Sequence, residues 1–150
     1  MKSLLLLFSM LIFTQCLGIT CPSGQTVTSS DYVPTTNGCG SSSFQTMVAD
    51  LINPFNDKFE ECCNTHDKCF GTCGTPNFKT SFDGCNSDFK SCMKSKCNKV
   101  KDFFKKTACN VAYKAIYTAV DNLGSTFYDK SQKKACTCSA WSLHLDYFQS

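Results

Sequence analysis

Adjacent His66 and Asp67 offer a base and a carboxylate, in a segment where cysteines recur at helical spacing. On a helix, Asp67 points about 100° away from His66, on the side of Cys63. A Cys39–Cys63 bridge would hold the glycine-containing loop 37–41 one helical turn from the Asp67 carboxylate. Loop carbonyls and a carboxylate are hard oxygen ligands that suit Ca²⁺. A solvated Asp67 without metal is the alternative that this spacing leaves open.

A zinc cluster of Cys62, Cys63, His66 and Cys69 is a second metal hypothesis for the same segment. In an oxidising compartment, cysteines that pair evenly form disulfides rather than metal sites. Cys62 and Cys63 are adjacent on the predicted helix and therefore point in different directions, which suits two separate bridges. The pattern favours disulfides over zinc.

Two helices must position these residues. Cys62 and Cys69 are seven residues apart, two helical turns, and so are Cys85 and Cys92. The connection between the two segments is short and contains glycine and proline, which predicts an antiparallel pair. Antiparallel packing brings Cys62 opposite Cys92 and Cys69 opposite Cys85. Of the three ways to pair four cysteines, this one needs no distortion.

His66 lies between the two predicted bridges, four residues after Cys62 and three before Cys69 on the same helical face. Its ring is therefore predicted to lie at the seam between the two helices. The residue that follows Cys85 on the partner helix is Asn86, and we expect it to lie beside the imidazole.

The rest of the chain predicts a mainly α protein. Residues 19–46 are rich in Ser, Thr, Gly and Pro and are predicted to form a loop, whereas helices are predicted over 59–73, 82–104 and 107–123. The third helix carries apolar residues at i, i+3 and i+4 and ends before Gly124, a favourable C-cap. No strand is predicted.

The ends of these segments give two further expectations. Phe103 and Phe104 are assigned to core packing, although contact with lipid is an alternative. Cys136 and Cys138 are expected to tie down the C-terminal tail, with partners that the spacing leaves open among Cys21, Cys73, Cys97 and Cys109.

Composition indicates a small, cross-linked, secreted protein. The chain has 150 residues, enough for one domain, and 13 cysteines, close to the density of disulfide scaffolds. All 15 basic side chains are lysines. Because sequence-specific recognition of nucleic acids relies heavily on arginine, a nucleic-acid partner is not expected.

Residues 1–18 are predicted to be a signal peptide. A charged start at Lys2 is followed by an apolar stretch of about ten residues, too short to span a bilayer, so a membrane anchor is the weaker alternative. Cleavage after Gly18 would remove Cys16 and leave 12 cysteines, an even number. The secreted domain would then comprise residues 19–150. No later segment is predicted to span a membrane.

The cysteine-rich segment resembles the active-site helix of secreted phospholipases A2. The residues that carry the resemblance are 62–69 with the sequence CCNTHDKC, followed by FGTCG at 70–74. The sequence NGCGS at 37–41 and the TCG after the helix are most similar to the group XII branch. The spacing of Cys85, Cys92 and Cys97 also fits, so the resemblance covers residues 37–100.

This resemblance implies a disulfide-rich phospholipase A2-like fold and a mechanism. His66 would be the general base that takes a proton from the water attacking the sn-2 ester of a glycerophospholipid, at a membrane or micelle surface. Asp67 and the carbonyls of Gly38, Gly40 and Ser42 would bind Ca²⁺, which stabilises the developing oxyanion.

Two residues depart from the family pattern. Asn86 stands where the family has the aspartate that orients the histidine, and Phe70 stands where it has a tyrosine that hydrogen-bonds this aspartate. The Asn86 oxygen can still accept a hydrogen bond from His66, but it cannot neutralise an imidazolium. The sequence therefore predicts a slow phospholipase A2. The alternative is a catalytically silent lipid- or receptor-binding protein of the same fold.

Overall fold

Four helices and two strands form most of the chain that the computed structural model describes, which is residues 19–39, 53–74 and 80–140. In chain order the elements are β1 (Gln25–Ser29), a short 3₁₀ helix (Asn53–Phe55), α1 (Asn56–Phe70), α2 (Phe82–Asn98), α3 (Phe103–Leu123), α4 (Ser125–Ala135) and β2 (Cys136–Ala140). The mainly α, disulfide-rich class predicted from the sequence is confirmed. The predicted signal segment, 1–18, lies outside the described residues.

Six disulfides join the described residues. The three pairs expected from spacing are confirmed, and they are Cys62–Cys92, Cys69–Cys85 and Cys39–Cys63. The pairs that spacing left open are Cys97–Cys109, Cys73–Cys136 and Cys21–Cys138. The first two bridges lock α1 to α2, the Cys97–Cys109 bridge ties α2 to α3, and the last two hold β2 and with it the C-terminal part of the fold.

The second predicted helix, 82–104, ends earlier than expected, and its last residues belong to the next helix, which begins earlier than the predicted 107. α2 begins where the Ser81 hydroxyl accepts a hydrogen bond from the Gly84 N–H, and it ends at Asn98. α3 begins at Phe103 because the Asp102 carboxylate accepts the Lys105 N–H at 2.8 Å. Side-chain acceptors of this kind satisfy the free N–H groups of a first helical turn, so Asp102 fixes the break.

A two-stranded antiparallel sheet replaces part of the predicted N-terminal loop. β1 pairs with β2 in a register that places Val27 opposite Cys138 and Ser29 opposite Cys136. Both strands are half-exposed and short, so neither shows the apolar alternation from which a strand is usually predicted. The Cys21–Cys138 bridge beside the sheet holds the two distant segments together.

The helix α4 was also not predicted, because its sequence is polar and its few buried residues are Tyr128, Gln132 and Ala135. The Gln132 amide donates to the carbonyls of Phe70 and Thr72 and accepts from the Gly74 N–H, each at 2.8 to 2.9 Å. These bonds satisfy the backbone groups at the end of α1. α4 therefore closes the C-terminal end of the helix that carries His66.

The core lies between α1, α2 and α3, where Phe59, Met93 and Ile116 are fully buried. The expectation that Phe103 and Phe104 pack in this core is wrong, since they are 74% and 81% exposed. They lie in the first turn of α3, whereas the contact of α3 with α2 is made further along the helix, where Cys109 is bridged to Cys97.

The Cys69–Cys85 bridge is expected to make a large contribution to stability. Replacing both residues (Cys69→Ala with Cys85→Ala) should lower the free energy of unfolding by about 3 kcal/mol, the loop-closure value for a bridge of this span. Denaturant titration measures the loss. Ser87→Ala with Ser91→Ala, two exposed changes on the same helix, is the matched control. Equal midpoints for the two double variants would contradict the expectation.

Candidate active site

His66 lies at the seam between α1 and α2, as predicted, and it is buried there. Its Nε2 atom is 2.9 Å from the Oδ1 atom of Asn86, which is only 1% exposed. The imidazole packs between two phenyl rings, with centroid distances of 4.1 Å to Phe70 and 4.6 Å to Phe89. The ring is therefore fixed by one hydrogen bond and two aromatic contacts.

The bond to Asn86 determines which nitrogen of His66 is basic. A carbonyl oxygen only accepts, so Nε2 carries the proton and Nδ1 keeps its lone pair in the neutral ring. Burial lowers the pKa of the imidazole, and the hydrogen bond with Asn86 opposes this shift. Because the resulting pKa lies below the ordinary value, the ring is neutral at pH 7 and able to accept a proton at Nδ1.

A cavity of about 320 Å³ opens beside the imidazole. His66, Asp67, Phe70 and Phe89 line its inner part. Apolar side chains from the C-terminal end of α3 and from α4 continue the wall, and they are Ala119, Val120, Leu123 and Phe127. A cavity of this volume, mostly apolar with a few convergent polar groups, has the character of a small-molecule site.

The loop before α1 is held over the Asp67 carboxylate. The Asn37 N–H donates to Asp67 Oδ2 at 3.1 Å, and the Gly38 N–H donates to Asn64 Oδ1 at 2.9 Å. The Cys39–Cys63 bridge anchors the same loop to α1. Gly38 has φ +69°, a left-handed conformation that glycine adopts without strain. The structure thus brings Gly38 and Asp67 together as the sequence predicts.

The Asp67 carboxylate is half-buried and accepts a hydrogen bond from the loop backbone. Burial raises the pKa of this carboxyl above its ordinary value, and the Asn37 N–H opposes the shift. The ion pair found among the described residues joins Lys96 to Glu61. No lysine in this part of the chain forms an ion pair with Asp67. A half-buried carboxylate beside loop backbone fits a hard cation such as Ca²⁺. Gly40 and Ser42, the other predicted ligands, lie outside the described residues.

The zinc hypothesis does not fit. Cys62, Cys63 and Cys69 are all in disulfides. Within residues 19–39, 53–74 and 80–140, no group of three or more His, Cys, Asp or Glu side chains could hold a metal ion. The segment is therefore a disulfide framework around one histidine and one carboxylate.

Asp121 is a polar group near the site that was not predicted from the sequence. The Nδ2 atom of Asn86 on α2 donates a hydrogen bond to Oδ1 of Asp121, in the last turn of α3, at 3.4 Å. The two residues are 35 positions apart, and no local spacing links them. The Phe70 ring packs in an edge-to-face contact with the ring of Tyr128, at a centroid distance of 5.1 Å.

The mouth of the cavity is apolar and basic. Leu123 and Phe127 are 45% and 40% exposed there, and Lys130 and Lys134 also line the opening. None of the helices in the described part of the chain is long and apolar enough to cross a membrane.

Comparison with known proteins gives matches along most of the chain. The family described as group XII secretory phospholipase A2 precursor matches residues 13–143. The group XIIA secretory phospholipases A2 of Homo sapiens and Mus musculus are 32% and 31% identical over 106 residues, 68% of this chain and 51% and 50% of theirs. The group XIIB secretory phospholipase A2-like protein of Mus musculus is 27% identical over 108 residues, 69% of this chain and 53% of its own. The chain thus spans about half the length of these relatives. No solved structure matches it.

Proposed function

Because the chain belongs to the group XII secretory phospholipase A2 family, we propose that it hydrolyses the sn-2 ester of glycerophospholipids in the presence of calcium. The products would be a fatty acid and a lysophospholipid. The observation that carries this proposal is the buried His66 imidazole, which is held by Asn86 and lines the cavity next to Asp67.

His66 acts as the general base in the proposed reaction. Its Nδ1 atom takes a proton from a water molecule as the water oxygen bonds to the ester carbonyl carbon. Asn86 Oδ1 holds the Nε2 proton throughout and keeps the ring in the required tautomer. When the ester bond breaks, the imidazolium returns the proton to the leaving glycerol oxygen. No covalent intermediate with the protein forms.

The residues that would hold calcium are Asp67 and the backbone carbonyls of Gly38, Gly40 and Ser42. The ion would supply a positive charge for the lipid phosphate and for the oxygen that becomes negative in the transition state. Asp67 supports this assignment because it is half-buried and its hydrogen-bond partner, the Asn37 N–H, is neutral.

Asn86 makes the proposed enzyme slow. A neutral amide orients the imidazole but leaves the charge of the imidazolium without a direct counter-ion. In serine proteases of the Ser-His-Asp type, an Asp→Asn change at the orienting position lowers turnover by about 10⁴ through the wrong tautomer. The hydrogen bond here runs from His66 Nε2 to the amide oxygen and thus favours the correct tautomer. We therefore propose an attenuated enzyme.

The second candidate function is a lipid- or receptor-binding protein without catalysis. The neutral Asn86 is the observation that favours it, because a binding site does not need a counter-ion for His66. The retained His66–Asp67 pair and the loop clamped over Asp67 favour the enzyme, since binding alone requires neither.

A positional assay tests the function. The purified protein is given a phosphatidylcholine with different labelled acyl chains at sn-1 and sn-2, in calcium. We expect release of the sn-2 fatty acid and retention of the sn-1 chain in the lysophospholipid. Release from sn-1 would contradict the proposed ester, and binding of calcium and lipid without release would favour the second candidate.

The cavity mouth is proposed to contact the lipid surface. Removing the phenyl ring in Phe127→Ser should weaken binding to anionic vesicles about tenfold, since inserting part of such a ring contributes on the order of 1.5 kcal/mol. Val111→Ser is the matched control, because Val111 is 58% exposed on α3 but about 18 Å along the helix from Leu123. Co-sedimentation in calcium-free buffer measures both. Equal affinities for the two variants would contradict this surface.

We also propose that the protein is extracellular, with residues 1–18 as a signal peptide and 19–150 as the mature domain. The six disulfides support this compartment, because bridges of this number persist in oxidising surroundings.

A further inference from the structure

We propose that Asp121 is a positioning residue for the reaction, acting on His66 through the side chain of Asn86. This inference rests on the proposed function for its catalytic consequence, whereas its structural consequence can be measured without any turnover. It assigns a role to a residue of α3 that carries no part of the cysteine-rich motif.

Three side chains form a continuous hydrogen-bonded chain from the base to the exposed end of α3. His66 Nε2 is 2.9 Å from Asn86 Oδ1, and Asn86 Nδ2 is 3.4 Å from Asp121 Oδ1. Asn86 is the buried link, with 1% of its surface exposed. The chain therefore connects the buried seam of α1 and α2 to a carboxylate on the third helix.

The carboxylate determines which end of the Asn86 amide faces His66. The oxygen and nitrogen ends of an amide have nearly the same shape, so packing alone does not distinguish them. An ionised carboxylate only accepts hydrogen bonds, so the NH₂ end of Asn86 must face Asp121. The oxygen end is then left for His66, and it requires the proton on Nε2.

Without Asp121, nothing in this chain of bonds opposes a 180° rotation of the amide. The rotated amide would donate from Nδ2 to Nε2 of His66, which would move the ring proton to Nδ1 and remove the lone pair that accepts the proton of water. A direct Asp–His pair cannot fail in this way, because both carboxylate oxygens accept. An asparagine in this position therefore needs a partner that fixes its orientation.

Asp121 lies near a second polar side chain of α3. The Tyr117 side chain is one turn earlier on the helix, and its pKa is raised by desolvation first and then by the nearby Asp121 carboxylate. Its hydroxyl therefore stays protonated near neutral pH. Lys90 Nζ lies over the Tyr117 ring at 4.1 Å.

The first test compares Asp121→Ala with Asp88→Ala in the full mature chain. Asp88 is an exposed acidic residue on α2, two positions after Asn86, and controls for the loss of one negative charge. The ¹⁵N spectrum of the His66 ring, recorded without calcium at a pH where the ring is neutral, reports the tautomer. We expect the Nε2-protonated form in wild type and Asp88→Ala, and a mixture of both tautomers in Asp121→Ala.

Kinetics give the second readout. Asp121→Ala should lower kcat about tenfold with KM unchanged, a loss comparable to that of one hydrogen bond to a charged group. Asp121→Glu, which retains the carboxylate, should recover part of this loss. Wild-type tautomer and wild-type kcat in Asp121→Ala would overturn the proposal. If wild type itself shows no hydrolysis, the proposed function fails, and the ¹⁵N spectra alone decide the role of Asp121.

A charge exchange sharpens the test. Asn86→Asp alone would bring two carboxylates to within 3.4 Å, so like charges should cancel any gain from a carboxylate beside His66. Adding Asp121→Asn supplies an amide donor for the new carboxylate, and the double variant should turn over faster than either single variant. Additive effects of the two changes would contradict coupling between these positions.

Discussion

His66→Gln is expected to lower phospholipid hydrolysis by about 10²- to 10⁴-fold, the contribution of a positioned general base. The glutamine side chain is similar in size and can still hydrogen-bond Asn86, so the seam between α1 and α2 stays filled. It has no group that accepts a proton from water near neutral pH. The rate of fatty-acid release from vesicles at saturating calcium measures the loss.

The control for this variant is Thr65→Ala, an exposed change at the preceding position of the same helix. Thermal unfolding and calcium binding of both variants should stay close to wild type, because neither change touches Asp67. A His66→Gln protein that folds, binds calcium and retains more than a tenth of wild-type turnover would contradict the role of His66.

Asp67→Asn is expected to weaken calcium binding by about 10²-fold or more and to raise the calcium concentration needed for half-maximal activity correspondingly. The change removes the negative charge that the proposed site offers to the ion, and ligand charge strongly affects calcium affinity. The amide oxygen can still accept the Asn37 N–H, so the loop stays in place. Calorimetric titration with calcium measures the affinity directly.

Stability separates this effect from damage to the fold. Burial raises the pKa of the Asp67 carboxyl, which means that its charged form is poorly solvated in the metal-free protein. Asp67→Asn should therefore not be less stable than wild type without calcium. Asp57→Asn, an exposed change in the first turn of α1, is the matched control for calcium affinity. Equal calcium affinity in both variants would exclude Asp67 as a ligand.

The sequence was sufficient for the part of the fold that surrounds His66. Cys62 and Cys69 are seven residues apart, and so are Cys85 and Cys92, because two helical turns return a side chain to the same face. The antiparallel pairing and the position of His66 beside Asn86 follow from that spacing, and the structure has both.

Contacts between distant segments could not be predicted in this way. β1 and β2 are more than 100 residues apart and lack an apolar alternation. α4 is held by the Gln132 amide and by one buried aromatic residue, Tyr128, which do not make the apolar stripe from which a helix is predicted. The contact between Asn86 and Asp121 depends on how α3 packs on α2, which the cysteine spacing does not fix. The break at Asp102, in contrast, has a local cause, since the Asp102 side chain caps the first turn of α3. A prediction from the spacing of apolar residues does not detect such a cap.

Calcium-dependent catalysis is tested most simply by hydrolysis of mixed phospholipid vesicles by the purified mature chain. The assay is run in millimolar calcium and in excess chelator, and free fatty acid and lysophospholipid are both quantified. We expect equimolar release of the two products in calcium and none in chelator. Release at the same rate in chelator, or no release by a protein that still binds calcium and vesicles, would contradict the proposed activity.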